Sequence, residues 1–116
     1  MPRTDVTQML FSKVYPLLVQ KAQRKGRTRE EVAQVTAWLT GYSPEELARL
    51  EQSALCYGDF FRQAPALNPN RVRIIGKICG VRVEEIQDPL MREIRYLDKL
   101  VDELAQGKPM EKILRT

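Results

Sequence analysis

The stretch that most narrows what this chain can fold into runs from Asp88 to Gly107. Leu90, Ile94, Leu97, Val101 and Leu104 step along it by 4, 3, 4 and 3 residues, a spacing that gathers apolar side chains on one face of an α-helix. Asp88 offers a capping oxygen, Pro89 suits a first helical position and Gly107 supplies a stop. Met91 and Leu100 widen the stripe. A helix with one broad apolar face must have that face covered, by the rest of the chain or by a partner. Core packing is one use of the stripe. The other is contact with a protein partner or a second copy of the chain, for which Leu90, Met91, Ile94, Leu97, Leu100, Val101 and Leu104 are the candidate interface. About two heptads are too few for a free-standing coiled coil.

The residues before it read as further helices. Ser12 is placed to cap a helix to about Lys25, with Pro16 in its first turn and Val14, Leu17, Leu18 and Ala22 as its stripe. "TREE" (Thr28 to Glu31) and "SPEE" (Ser43 to Glu46) are capping boxes: the hydroxyl takes an early N–H and the glutamate reaches back. The helices behind them carry Val32, Val35, Trp38 and Leu39, then Leu47, Leu50 and Ala54. A short helix is expected from Asp59 to Ala64. Another is expected after Asn68 and Pro69, with Val72, Ile74, Ile75, Ile78 and Cys79 buried on more than one side. "PMEKILR" supplies a last short helix. No segment alternates convincingly as a strand. The fold class is all-α: a single-domain helical bundle of about five to seven helices over residues 9–115, preceded by a short tail at 1–8.

Two corners share a pattern. "WLTGYSPEEL" and "KICGVRVEEI" align without a gap, their glycines 39 positions apart. A duplicated helix–corner–helix unit explains this, and so does shared capping chemistry. The second corner also resembles a DNA-reading helix-turn-helix, but only about one and a half turns fit between Arg82 and Asp88-Pro89. Its first turn carries Glu84 and Glu85, which suit the positive end of a helix dipole better than phosphate. A structural corner is the favoured reading.

There is no histidine in 116 residues, which excludes serine–histidine and cysteine–histidine catalysis and removes the commonest metal ligand. No glycine-rich phosphate loop is present. Asp98 and Asp102 lie one turn apart but alternate with Arg95 and Lys99, as a solvated face does. No catalytic, cofactor-binding or metal-ligating residue is therefore assigned, no cofactor is expected, and the balance leans away from an enzyme. Cys56 and Cys79 form neither a disulfide framework nor a zinc motif, which suits a reducing compartment. With no apolar run of membrane-spanning length and no secretory leader, a cytoplasmic location without membrane contact is expected.

Nineteen basic against fifteen acidic residues give a charge of +4, which permits a polyanion partner without requiring one. Candidate nucleic-acid or anion contacts are Lys21, Arg24, Lys25, Arg27 and Arg29, around one helix end, with Arg82. The competing reading is cations complementing a helix C-terminus. Trp38, Tyr42 and Arg71 form a candidate pocket for a small anion or metabolite, against the alternative of a structural ion-pair network. The leading functional reading is a helical domain that binds a protein partner or itself. Weak nucleic-acid binding and small-molecule binding are the alternatives.

"VYP" with "KGR", "WLTGY", "APALNPN", "ICGVRVEEI", "DPLM", "IRYLDKL" and "MEKILR", in that order from about Met9 to Arg115, together resemble the bacterial domain-of-unknown-function family 2200. The resemblance implies a small bacterial protein made of one copy of that domain. It brings no established activity and so no residue roles.

Overall fold

The computed structural model describes residues 6–78 and 80–115. Its centre is α5 (Pro89–Ala105), opened as its sequence dictates by the Asp88 carboxylate, which accepts from the Leu90 and Met91 N–H groups. Around it lie α1 (Phe11–Gln23), α2 (Arg29–Thr40), α4 (Tyr57–Arg62) and the short α6 (Met110–Ile113), while α3 (Pro44–Leu50) packs on α2. The fold is mostly helical. Ile94, Leu97, Leu100, Val101 and Leu104 are all buried in the chain's own core. The stripe is therefore covered from within and does not form an intermolecular seam. Of that candidate interface only Leu90 and Met91 are half-exposed.

Both capping boxes form. The Thr28 hydroxyl accepts from Glu31 N and the Glu31 carboxylate accepts from Thr28 N, at 3.1 and 3.0 Å. Ser43 and Glu46 do the same at 3.1 and 2.9 Å. The start of α1 differs from expectation. Leu10, not Ser12, is its N-cap, with no side-chain cap bond, and Pro16 lies inside the helix, so the Ser12 carbonyl receives no N–H from it. What holds this end is tertiary. Phe11 N donates to Leu55 O at 2.9 Å and Tyr57 N to Met9 O at 2.7 Å. Phe11 stacks on Tyr15 and on Phe60, with ring centroids 4.9 and 4.2 Å apart. Of the tail expected at 1–8, Val6–Gln8 is a 3-10 turn beside α4, with Val6 packed on the core. Residues 1–5 lie outside the described residues.

The segment after Asn68 is the main departure. Instead of a buried helix it is a 3-10 turn (Pro69–Arg73) followed by an antiparallel hairpin of β1 (Lys77–Ile78) and β2 (Val81–Arg82), pairing Lys77 with Arg82 and Ile78 with Val81. Ile74 and Ile78 are buried as expected, Val72 and Ile75 are exposed, and Cys79 lies outside the described residues. Local backbone chemistry permits this path. β-branched residues surround two glycines at positive φ, Gly76 at 110° and Gly80 at 79°, which a helix resists and a tight turn uses.

The two matching corners therefore have different structures. Gly41 ends α2 in the left-handed conformation and leads into the α3 capping box. Gly80 sits in a hairpin turn, and β2 runs on from it into a 3-10 turn, Val83–Glu85. No recognition helix comes after Gly80, so the helix-turn-helix-like reading of that corner is corrected, and with it the duplicated unit.

Candidate interaction surface

Two staples fix the path of residues 71–77 along α5. Arg71 Nε lies 2.8 and 3.0 Å from the two Glu93 oxygens, and its Nη1 donates to Asn68 O at 2.9 Å. Six residues on, Lys99 Nζ donates to the Lys77 carbonyl at 3.2 Å. Between them Gly76 O accepts from Val83 N at 2.9 Å, and Gly76 N donates to Glu84 Oε2 at 3.1 Å. The Glu84 carboxyl is held below the usual glutamate range by its own N–H and that of Gly76, with Arg82 beside it. Its role is to serve the backbone.

This path turns Ile74, Ile78 and Val83 inward and leaves Val72, Ile75 and Val81 exposed by 67, 59 and 50%. Three branched apolar residues within ten positions of one exposed hairpin segment are more than the scattered single exposures of an ordinary surface. The exposed charges among them, Arg73, Lys77 and Arg82, are all basic, and no acidic residue occurs from 72 to 83. Arg71, the residue before Val72, lines a groove of about 340 Å³ whose walls include Phe61, Leu67, Pro89, Leu90 and Glu93.

The residues expected to form sites are distributed differently. Arg71 lines the groove and is committed to Glu93. Tyr42 is buried, stacked on Phe60 at 4.7 Å and donating its hydroxyl to Phe60 O at 2.7 Å. Burial and Glu46 push its phenol up. Trp38 packs against the core with its indole N–H buried and with no partner among the described residues. Neither ring lines the groove with Arg71, so the three do not form one pocket.

The basic cluster is largely spent on ion pairs. Lys21 meets Asp102 at 3.3 Å, Arg27 meets Glu31 at 2.7 Å and the Lys108 carbonyl at 2.8 Å, and Arg29 meets Glu51 at 2.8 Å. Arg24 and Lys25 are exposed, with no ion pair among the described residues. Arg82 belongs to the hairpin, 3.4 Å from Glu84. Asp98 pairs with Arg95 at 3.0 Å. Burial raises the Asp98 carboxyl in spite of Arg95. Among the described residues no group of three or more acidic or cysteine side chains is placed to hold a metal, and no helix is long and apolar enough to cross a membrane.

Sequence reasoning misses Val72 and Ile75 as surface residues because it places them in a buried helix, and it leaves Val81 in the corner after Gly80. The signal that could find them is an apolar segment with two glycines inside it.

The family model for DUF2200, an uncharacterized protein conserved in bacteria, matches residues 5–115. The chain belongs to this family. A crystal structure of an uncharacterized protein, SP1917, is similar to this DUF2200 chain at 54% identity, covering 94% of it and 89% of the other chain, with a TM-score of 0.91. The comparison with curated proteins found no match. The family reading made from the motifs thus holds, and no function comes with it.

Proposed function

We propose that this DUF2200 protein acts as a binding domain, docking a segment of another protein on the hairpin surface of Val72, Ile75 and Val81. The observation that supports it is the exposure of three branched apolar side chains within ten positions, two of which, Val72 and Ile75, lie between the Arg71 and Lys77 staples. A rigid surface loses little entropy on binding, so even a small apolar patch yields net affinity. Arg73, Lys77 and Arg82 favour a partner segment that carries acidic side chains next to apolar ones. The patch alone is short of the roughly 800 Å² that each partner buries in a standard interface. The adjacent groove extends it, with room for one apolar side chain of the partner.

The test is in-cell crosslinking with mass-spectrometric mapping, on the wild type and on Ile75→Glu and Val81→Glu variants. Leu17→Glu, at an exposed apolar residue of α1, is the control. The expected result is a protein crosslinked at Lys77 whose capture is lost in both hairpin variants and kept in the control. Crosslinks that map elsewhere, or capture indifferent to Ile75→Glu, would remove the proposal. Light scattering over a range of concentrations reports a second copy as the occupant. DNA or RNA binding abolished by Arg82→Ala would reassign the surface to nucleic acid.

A further inference from the structure

The segment after α5 is fastened to the rest of the fold by side chains. α5 closes its own end: Gly107, at φ 89°, donates its N–H to Leu104 O at 3.0 Å, and Lys108 N donates to Glu103 O at 3.1 Å. Such a cap needs nothing beyond it. From there α6 bonds to its own turn, Lys112 N and Ile113 N to Pro109 O and Leu114 N to Met110 O. Among the described residues no backbone hydrogen bond joins 109–115 to another element. A helix this short does not hold itself in water, so its order comes from what it docks on. Ile113 is fully buried, with Met110 and Leu114 packed partly against the core. Arg115 Nη2 lies 2.6 Å from Glu103 Oε2, and Arg27 holds the near end through Lys108 O at 2.8 Å. Glu103 is the one charged residue buried among the described residues, its side chain 2% exposed. Its Oε1 is buried with no partner among them.

We infer that residues 109–115 form a strap that opens as a unit about Gly107, with Arg115 on Glu103 as its latch. A buried ion pair surrenders the hydration of both charges on closing and regains it on opening. With one carboxylate oxygen left unsatisfied, this pair fixes where the strap closes without closing it tightly. The cap on α5 is complete without the strap, so the helix end stays formed when the strap leaves. Opening bares the seat of Ile113 beside the Glu103 carboxylate, a surface that complements an apolar side chain next to a cation. The closed strap keeps that surface occupied by its own Ile113 and Arg115. Neither the strap nor its latch lines the hairpin surface or the groove beside it, so this device stands independently of the proposed docking role.

The experiment is native-state hydrogen exchange of the full chain, followed by NMR in low urea. The amides of Lys112, Ile113 and Leu114 are expected to exchange together, at least about tenfold faster than those of Leu100 and Val101 in α5. Their urea dependence should be shallower, because opening the strap exposes less surface than unfolding the core. Arg115→Ala should speed the three strap amides about 30-fold or more. Gly41→Ala strains the end of α2 away from Arg27, where an added Cβ would lie 2.7 Å from Ala66 Cβ. It should speed Leu100 and Val101 and leave the strap amides unchanged, since strap opening does not pass through that corner. Three results would each overturn the inference: equal rates and urea slopes for strap and α5, a Gly41→Ala effect shared by both, or strap exchange indifferent to Arg115→Ala. Circular dichroism checks the fold of each variant. If Arg115→Ala misfolds, the wild-type urea slopes and Gly41→Ala still decide whether the strap opens by itself.

Discussion

Replacing Gly41 with alanine separates two costs that glycine substitutions usually confound. Gly41 has φ 84°, and Gly26, the control, has φ 83°. Both are left-handed, where a side chain costs about 1–2 kcal/mol, offset by about 0.4–1 kcal/mol from the stiffer unfolded chain. Their surroundings differ. A Cβ on Gly26 would meet nothing within 4 Å, whereas one on Gly41 would lie 2.7, 2.8 and 2.9 Å from Cβ, N and O of Ala66. Those are mostly backbone atoms, so the 64–68 loop has to move as a unit. It is tied to the end of α2 by Ala66 N to Thr40 O and Asn68 N to Leu39 O, both 3.0 Å, each worth about 1 kcal/mol net. Gly26→Ala should therefore cost about 1 kcal/mol or less and Gly41→Ala about 3 kcal/mol. Urea unfolding resolves this: with m near 1–2 kcal/mol/M, the two midpoints should differ by roughly 1 M or more at equal m. Midpoints that coincide would show that the loop yields freely. The wall that Leu67 gives the groove would then not be held by α2.

Three further outcomes concern buried and capping groups. Glu31 is held below the usual range by the Arg27 guanidinium and the Thr28 N–H, and Glu46 by the Ser43 N–H. Both contribute stability that is complete above the unfolded value, about pH 4.3, and is lost as pH falls through the folded one. Asp98, raised by burial, works with the opposite sign. A Glu31→Gln/Glu46→Gln double variant should flatten the fall of unfolding free energy below about pH 4.3, and an unchanged slope refutes this. Arg115→Ala removes a 2.6 Å partner from Glu103, whose side chain is 2% exposed, leaving only Lys108 at 3.4 Å; chemical denaturation should show a loss of about 2–4 kcal/mol. Tyr57→Phe deletes a buried hydroxyl that has no partner among the described residues, so thermal unfolding should show it at least as stable as the wild type, by about 0–2 kcal/mol.

What can be read from the sequence is local. Thr28 with Glu31 and Ser43 with Glu46 stand three residues apart, and a hydroxyl and a carboxylate at that spacing close a capping box whatever the rest of the chain does. The burial of α5 is legible because its period, cap and stop all lie within or beside the helix. Tyr42 is not, because its hydroxyl is satisfied by Phe60 O, 18 positions away. A ring with a polar tip reads equally well as pocket or core until that partner is known.

The hairpin shows where local reading gives way to function. Ile74 and Ile78 are four apart, which suits the buried face of a helix, and a helix would take Val72 and Ile75 inside with them. The decision between helix and hairpin is made by Arg71 with Glu93 and by Lys99 with Lys77, each pair 22 positions apart. Once those staples bend the chain at Gly76, only Ile74, Ile78 and Val83 can face α5, and Val72, Ile75 and Val81 must face water. Local spacing and long-range packing disagree here, and a fold keeps such a conflict at a cost in stability. The same conflict leaves three apolar side chains outside the core, available to a partner.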